Sequence, residues 1–129
     1  MEPHILVTND DGITSTGLHA LARALRGVGE VTVVAPDRNW SISGHQKALE
    51  RFLRADPYEF DPDIPAFASS AAPADCVAMA CLGLLERKPD LIVSGINKGA
   101  NLGQDITYSG TVAATFEAAI FGYPAVAVS

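Results

Sequence analysis

The chain has 129 residues, 48% hydrophobic and 19% charged, which is the bulk of one globular domain and too apolar for a disordered tail. Nine Lys and Arg against fifteen Asp and Glu give a net charge of −6 with no basic run. That balance disfavours a nucleic acid polymer gripped by counterion release, yet it permits a small anion held by backbone donors or by a bound cation.

Ile5-Leu6-Val7 is a short, unalternating apolar run that suits a strand buried on both faces, and it ends at Thr8-Asn9-Asp10-Asp11-Gly12. Ser15 or Thr16 then offers an N-cap for a helix whose apolar face is Leu18, Leu21, Ala22 and Leu25, stopped by Gly27 and Gly29. Val31 to Ala35 is a β-branched second strand halted by Pro36, and a polar loop, Asp37 to Gly44, follows. Lys47 to Leu53 fits strand or helix, the Asp-Pro pairs at 56–57 and 61–62 predict turns, and Phe67-Ala68-Ser69 predicts a short strand.

Pro73 stands where a first helical residue would be, and Val77, Ala80, Cys81, Leu84 and Leu85 predict one apolar helix face running to Arg87. Cys76 and Cys81, five apart on that helix, are beyond disulfide reach and fit no Cys-x-x-Cys metal pair, so they read as core residues. Leu91-Ile92-Val93 is a further buried strand. The next helix carries Val112, Phe116, Ala119 and Ile120 on its predicted face, with Gly122 and Pro124 closing it, and Ala125 to Ser129 reads as a fifth strand. Alternating strands and helices predict an α/β fold, a Rossmann-like three-layer sandwich with a mainly parallel sheet. No apolar stretch reaches the ~18 residues of a membrane span, and the N-terminus lacks the pattern of a secretory leader, so no membrane partner and a cytoplasmic location are expected.

In such a sheet ligands bind outside the carboxyl ends of the strands, where the chain order reverses. The polar loops after strand one, after Pro36 and after Val93 all leave from that edge. Adjacent Asp10 and Asp11 would repel each other in a pocket, a conflict that a divalent cation resolves with hard oxygen donors; alternatively they cap the first helix or form a turn. Ser109-Gly110-Thr111, opening an apolar-faced helix, offers backbone N–H groups and two hydroxyls to one phosphate, although Ser109 could equally be only an N-cap. The Gly-rich stretch from Gly95 to Gly103 lacks a P-loop ending, and its spacing is a poor fit to a dinucleotide site.

Five blocks, Ile5 to Gly12, Val34-Ala35-Pro36-Asp37-Arg38-Asn39-x-Ser41, Pro73 to Val77, Ser94-Gly95-Ile96-Asn97-x-Gly99-x-Asn101 and Tyr108 to Ala114, occur in order across the chain. Together they closely resemble the SurE (survival protein E) family of nucleotidases. The resemblance implies a divalent-metal-dependent phosphatase acting on nucleoside monophosphates, 5′ and also 3′, with short-chain polyphosphate as a further substrate in some members. It implies one Mg²⁺ or Mn²⁺ per subunit held by Asp10, Asp11, Ser41 and Asn97, with Asp10 and Asp11 also catalytic. Ser109, Gly110 and Thr111 would hold phosphate, and Asn9 and Asn101 would join them in binding substrate. Two departures stand out: Ala71-Ala72 replaces the usual Gly-Thr before Pro73, and members continue beyond the strand at Ala125. Residues 1–129 are therefore expected to be a nucleotidase domain, the N-terminal part of a longer chain that forms a homodimer or homotetramer.

The expected chemistry is attack by metal-activated water, with Asp10 or Asp11 as proton acceptor. A covalent route through Asp10 is disfavoured because Gly12 stands where aspartyl-phosphate hydrolases carry their second Asp. His45 is a weaker candidate proton donor and Lys98 an equivocal phosphate contact. Trp40 is better read as packing over its loop than as stacking on a base, and Asp75 complements a helix dipole. His19 reads as surface and His4 as having no role. A non-catalytic nucleotide-binding or assembly module is the alternative function; it would have no need of the four metal-ligand residues together.

Overall fold

The computed structural model describes residues 2–37, 54–96 and 110–128. In chain order the elements are β1 (His4–Thr8), α1 (Thr16–Leu25), β2 (Glu30–Pro36), β3 (Ala55–Pro57), β4 (Ala66–Ser69), α2 (Pro73–Met79), β5 (Leu91–Ser94), α3 (Gly110–Ile120) and β6 (Ala125–Ala127). They build one six-stranded sheet in the order β3-β4-β2-β1-β5-β6. Every pairing is parallel except that of β3 with β4. The chain steps outward from β1 through β2 to β4, then returns to the other side of β1 as β5 and β6, so the order reverses between β1 and β5.

Period-two alternation splits the buried side chains into two cores. Ile5, Val7, Val31, Val33 and Val93 face α1, which inserts Leu18 and Ala22. Leu6, Val34 and Ile92 face the other layer, where α2 contributes Cys76 and Val77 and α3 contributes Ala114 and Ala118. This is the expected three-layer α/β architecture, and both thiols are free and buried as predicted.

Three local expectations are corrected. Asp56-Pro57 lies in a strand instead of a turn: β3 is the sheet's edge, where Pro57 pairs in register with Phe67 and a missing N–H is tolerated. The helix from Pro73 keeps regular geometry only to Met79, then widens into a π-helical turn over Ala80–Leu84, inside which Gly83 takes φ +129°, so Leu85 is already extended. The inward face of α3 carries Ala114 and Ala118, whereas Ala119 and Ile120 point outward and Ile120 is 78% exposed. Small residues let α3 lie close to α2 and the sheet, a need that hydropathy periodicity does not record.

Candidate functional site

The carboxyl edge of the sheet is stitched by backbone hydrogen bonds between successive strand exits. The N–H of Ile13 donates to the Pro36 carbonyl at 2.8 Å, that of Asp37 to Ser69 at 2.7 Å, and that of Gly95 to Thr8 at 2.9 Å. The exits of β1, β2, β4 and β5 are thereby tied to one another. At the β1 exit, the Asn9 side chain closes a ring on Gly12: its Nδ2–H donates to the Gly12 carbonyl at 2.9 Å, and its Oδ1 accepts the Gly12 N–H at 3.1 Å. Asn9 is fully buried, so its amide shapes the turn that presents the next two residues.

Those residues are Asp10, buried, and Asp11, half-buried. Neither caps α1, because the N-cap is Ser15. What remains of the earlier alternatives is a presenting turn with two consecutive carboxylates at the β1 exit. Their charges are of one sign and their donors are hard oxygens, a set that fits Mg²⁺ or Mn²⁺. Among the described residues no group of three or more His, Cys, Asp or Glu is assembled.

Gly17 brings a second loop toward this turn. A Cβ at that position would stand 2.8 Å from the Ile96 carbonyl oxygen, so the absent side chain lets the first turn of α1 approach the β5 exit. Gly110 and Thr111 are the first described residues of α3. Ser41, Asn97, Asn101 and Ser109, with Trp40, His45 and Lys98, lie outside the described residues.

Sequence reasoning missed two hydroxyls. Thr8 Oγ1 and Ser94 Oγ are buried at the ends of β1 and β5 without an ordinary hydrogen bond, Thr8 being turned to the Cys76 thiol. Ser15 Oγ likewise has no ordinary hydrogen bond and lines an open cleft of about 370 Å³ between α1 and residues 58–60. The signal available in the sequence was position alone: Thr8 and Ser94 each end an apolar run. Beneath the same edge, burial pushes the Cys76 thiol up to about 12, against smaller opposing pulls from the hydroxyls of Ser69 and Thr8. Cys76 therefore stays neutral.

His4, assigned no role from sequence, is buried at the start of β1. Its ring lies 3.3 Å from the Lys88 carbonyl through Nδ1 and 2.8 Å from Thr32 Oγ1 through Nε2. The task is structural and lies at the edge opposite the site. His19 is half-exposed as expected, yet it stands edge-on to the Phe60 ring and 3.5 Å from Asp61.

A family model for survival protein SurE matches residues 5–129. The chain is 60% identical over 126 residues to the 5′-nucleotidase SurE of Chloroflexus aggregans, covering 98% of this chain and 50% of that protein. It is 57% identical to the 5′-nucleotidase SurE of Pelobacter propionicus, covering 98% of this chain and 49% of the relative. The crystal structure of the SurE protein from Aquifex aeolicus superimposes with a TM-score of 0.81 at 46% identity, over 97% of this chain and 50% of that one. The chain thus spans about half the length of the relatives it matches.

Proposed function

The chain belongs to the SurE family, and from that premise we propose that it carries the metal-ligand-bearing half of a nucleoside monophosphate phosphatase. The observation that carries the reading is the pair Asp10 and Asp11, presented by the Asn9–Gly12 ring beside the point where strand order reverses. The relatives' name, 5′-nucleotidase, supports the substrate class; 3′-nucleotides and short polyphosphate are narrower extensions of it. One Mg²⁺ or Mn²⁺ per subunit would be held by Asp10 and Asp11 with Ser41 and Asn97, and when bound it supplies charge neutralisation and Lewis acidity at a phosphoryl oxygen. Asp10 or Asp11 accepts the proton of the attacking water, and the opening turn of α3 directs N–H donors at the remaining oxygens. Asn101 and the Ser109 hydroxyl complete the substrate contacts, and the nucleoside leaves in line with the entering water.

Among the described residues no helix is long and apolar enough to cross a membrane, and two free buried thiols suit a reducing compartment, which supports the cytoplasm as the location. A homodimer or homotetramer is the assembly proposed for the whole protein. The test is phosphate release from AMP, GMP and p-nitrophenyl phosphate with Mn²⁺ or Mg²⁺. Metal-dependent release that EDTA and Asp11→Asn both abolish is the expected result. Nucleotide binding without release under any metal would establish the binding-module alternative instead.

A further inference from the structure

Asn9 stands at the β1 exit, immediately before the two carboxylates, with none of its surface exposed. Its amide spends a donor and an acceptor on one residue: Nδ2–H donates to the Gly12 carbonyl at 2.9 Å, and Oδ1 accepts the Gly12 N–H at 3.1 Å. The side chain thus pairs with Gly12 as a peptide group would, and Asp10 and Asp11 are the two residues enclosed by that pairing. Gly12 takes φ +106°, a backbone conformation that favours glycine, so the ring closes on a residue type that suits it. The same Gly12 carbonyl accepts the N–H of Ser15, the N-cap of α1, at 3.1 Å, and the N–H of Ile13 is tied to the Pro36 carbonyl of β2 at 2.8 Å. The turn is anchored at β1, β2 and α1, and the Asn9 amide closes it from inside.

We propose that Asn9 is a positioning residue: its amide sets the placement of Asp10 and Asp11 toward the cation, and substrate touches neither of its polar atoms. The cation and its phosphoryl chemistry rest on the nucleotidase reading; the ring and the enclosure of Asn9 do not. An amide is the group this ring requires. Aspartate keeps the shape and can accept the Gly12 N–H, but it cannot donate to the Gly12 carbonyl and would bring a third negative charge beside two others. Serine can accept the Gly12 N–H, as the weaker hydroxyl form of the same turn. Alanine supplies neither bond and leaves the N–H of buried Gly12 without its acceptor.

The experiment compares the parent with Asn9→Ala, Asn9→Ser and Asn9→Asp in three measurements: Mn²⁺ affinity by calorimetry without nucleotide, kcat and KM for AMP at saturating Mn²⁺, and thermal melting. Rates are taken per folded molecule. In Asn9→Ala, Mn²⁺ affinity and kcat are each expected to fall at least about tenfold, the scale of one lost hydrogen bond, while KM stays within about threefold of the parent's. Asn9→Ser falls between the two, and Asn9→Asp loses as much kcat as Asn9→Ala despite its shape. Should Asn9→Ala fail to fold, Asn9→Ser carries the same comparison. A KM raised about tenfold at unchanged kcat and Mn²⁺ affinity makes Asn9 a substrate contact and overturns the proposal. So does a lowered melting temperature with kcat and Mn²⁺ affinity within about twofold of the parent, which makes the ring purely structural, and so does Asn9→Asp at the parent's kcat. A parent whose Mn²⁺ affinity depends on Asn9 but which hydrolyses no nucleotide overturns the functional reading and leaves this one standing; a parent that hydrolyses AMP with kcat and Mn²⁺ affinity indifferent to Asn9 does the reverse.

Discussion

At the amino end of the sheet, the backbone N–H of His4 donates to Asp90 Oδ2 at 2.8 Å, and Arg87 joins the same carboxylate at 3.2 Å while reaching Glu30 at 3.0 Å and the Glu2 carbonyl at 2.7 Å. The His4 ring bridges Thr32 and Lys88 in the same corner. At the carboxyl end of the same strands, Thr8 and Ser94 bury hydroxyls without an ordinary hydrogen bond, and Ser15 does so in the connection just beyond. Among the described residues, every buried side-chain oxygen of this kind lies on the carboxyl side. The amino end is satisfied internally, and at the carboxyl end three side-chain hydroxyls are left without an ordinary hydrogen bond.

The largest expected effect breaks that contrast from the carboxyl side. Asp11→Asn keeps the shape of the side chain while removing its charge, so the melting temperature should stay near the parent's while kcat falls at least about a hundredfold. Steady-state rates and melts on one preparation check both halves; a loss of stability in step with activity would make Asp11 a structural residue. At the amino end, His4→Leu should do the opposite. The Lys88 carbonyl fixes the Nδ1–H tautomer, leaving Nε2 to accept from the Thr32 hydroxyl, so removing the ring strands two buried groups. Urea unfolding should show a loss of about 1–3 kcal/mol with activity per folded molecule unchanged.

This difference between the ends explains what could be read without coordinates. The β1 and β5 runs, the α1 face and the convergence of the Asp10–Asp11 turn with the β5 exit follow from apolar periodicity and from the rule that ligands meet parallel sheets at strand carboxyl ends. The task of His4 was not legible, because it depends on Thr32 and Lys88, 28 and 84 residues away. Thr8 and Ser94 escaped notice for a related reason. A hydroxyl at a strand end gives no signal until pairing register sets it beside another. The misread α3 face has a different cause, since Ala114 and Ala118 are chosen for closeness and Ile120 is more hydrophobic yet exposed.

Two smaller substitutions sharpen the comparison by stability alone. In a free helix Gly17→Ala would gain up to about 1 kcal/mol, but here the new Cβ meets the Ile96 carbonyl oxygen, so the sign should reverse to a net loss of about 1 kcal/mol. Mn²⁺ affinity should weaken with it, since the β5 exit must move. A stabilised Gly17→Ala protein with unchanged metal affinity would show that the close approach is unnecessary. Ala72→Thr acts in the other direction. Ala72 is the N-cap of α2 with extended backbone angles and no side-chain cap, so a threonine oxygen there can accept a first-turn N–H. Chemical denaturation should show a gain of about 1 kcal/mol, which restores at position 72 the residue type usual for the family.

The smallest effect concerns the flank of α1. The backbone N–H of Asp63, at 3.0 Å, and the Arg23 guanidinium, at 2.7 Å, hold the Asp61 carboxyl below its ordinary value of 3.8, with burial pulling weakly the other way. A carboxylate whose folded-state value is depressed contributes stability above the unfolded value and loses it as pH falls through the folded one. Asp61 should therefore help at pH 7 and cease to help well below pH 3.8. Urea midpoints of the parent and Asp61→Asn should differ modestly at neutral pH and converge in acid. Midpoints separated by a constant gap at every pH would mean that Asp61 acts through shape and hydrogen bonding that Asn does not reproduce, not through its charge. Convergence would place the paired charges of this flank with the internally satisfied end of the molecule.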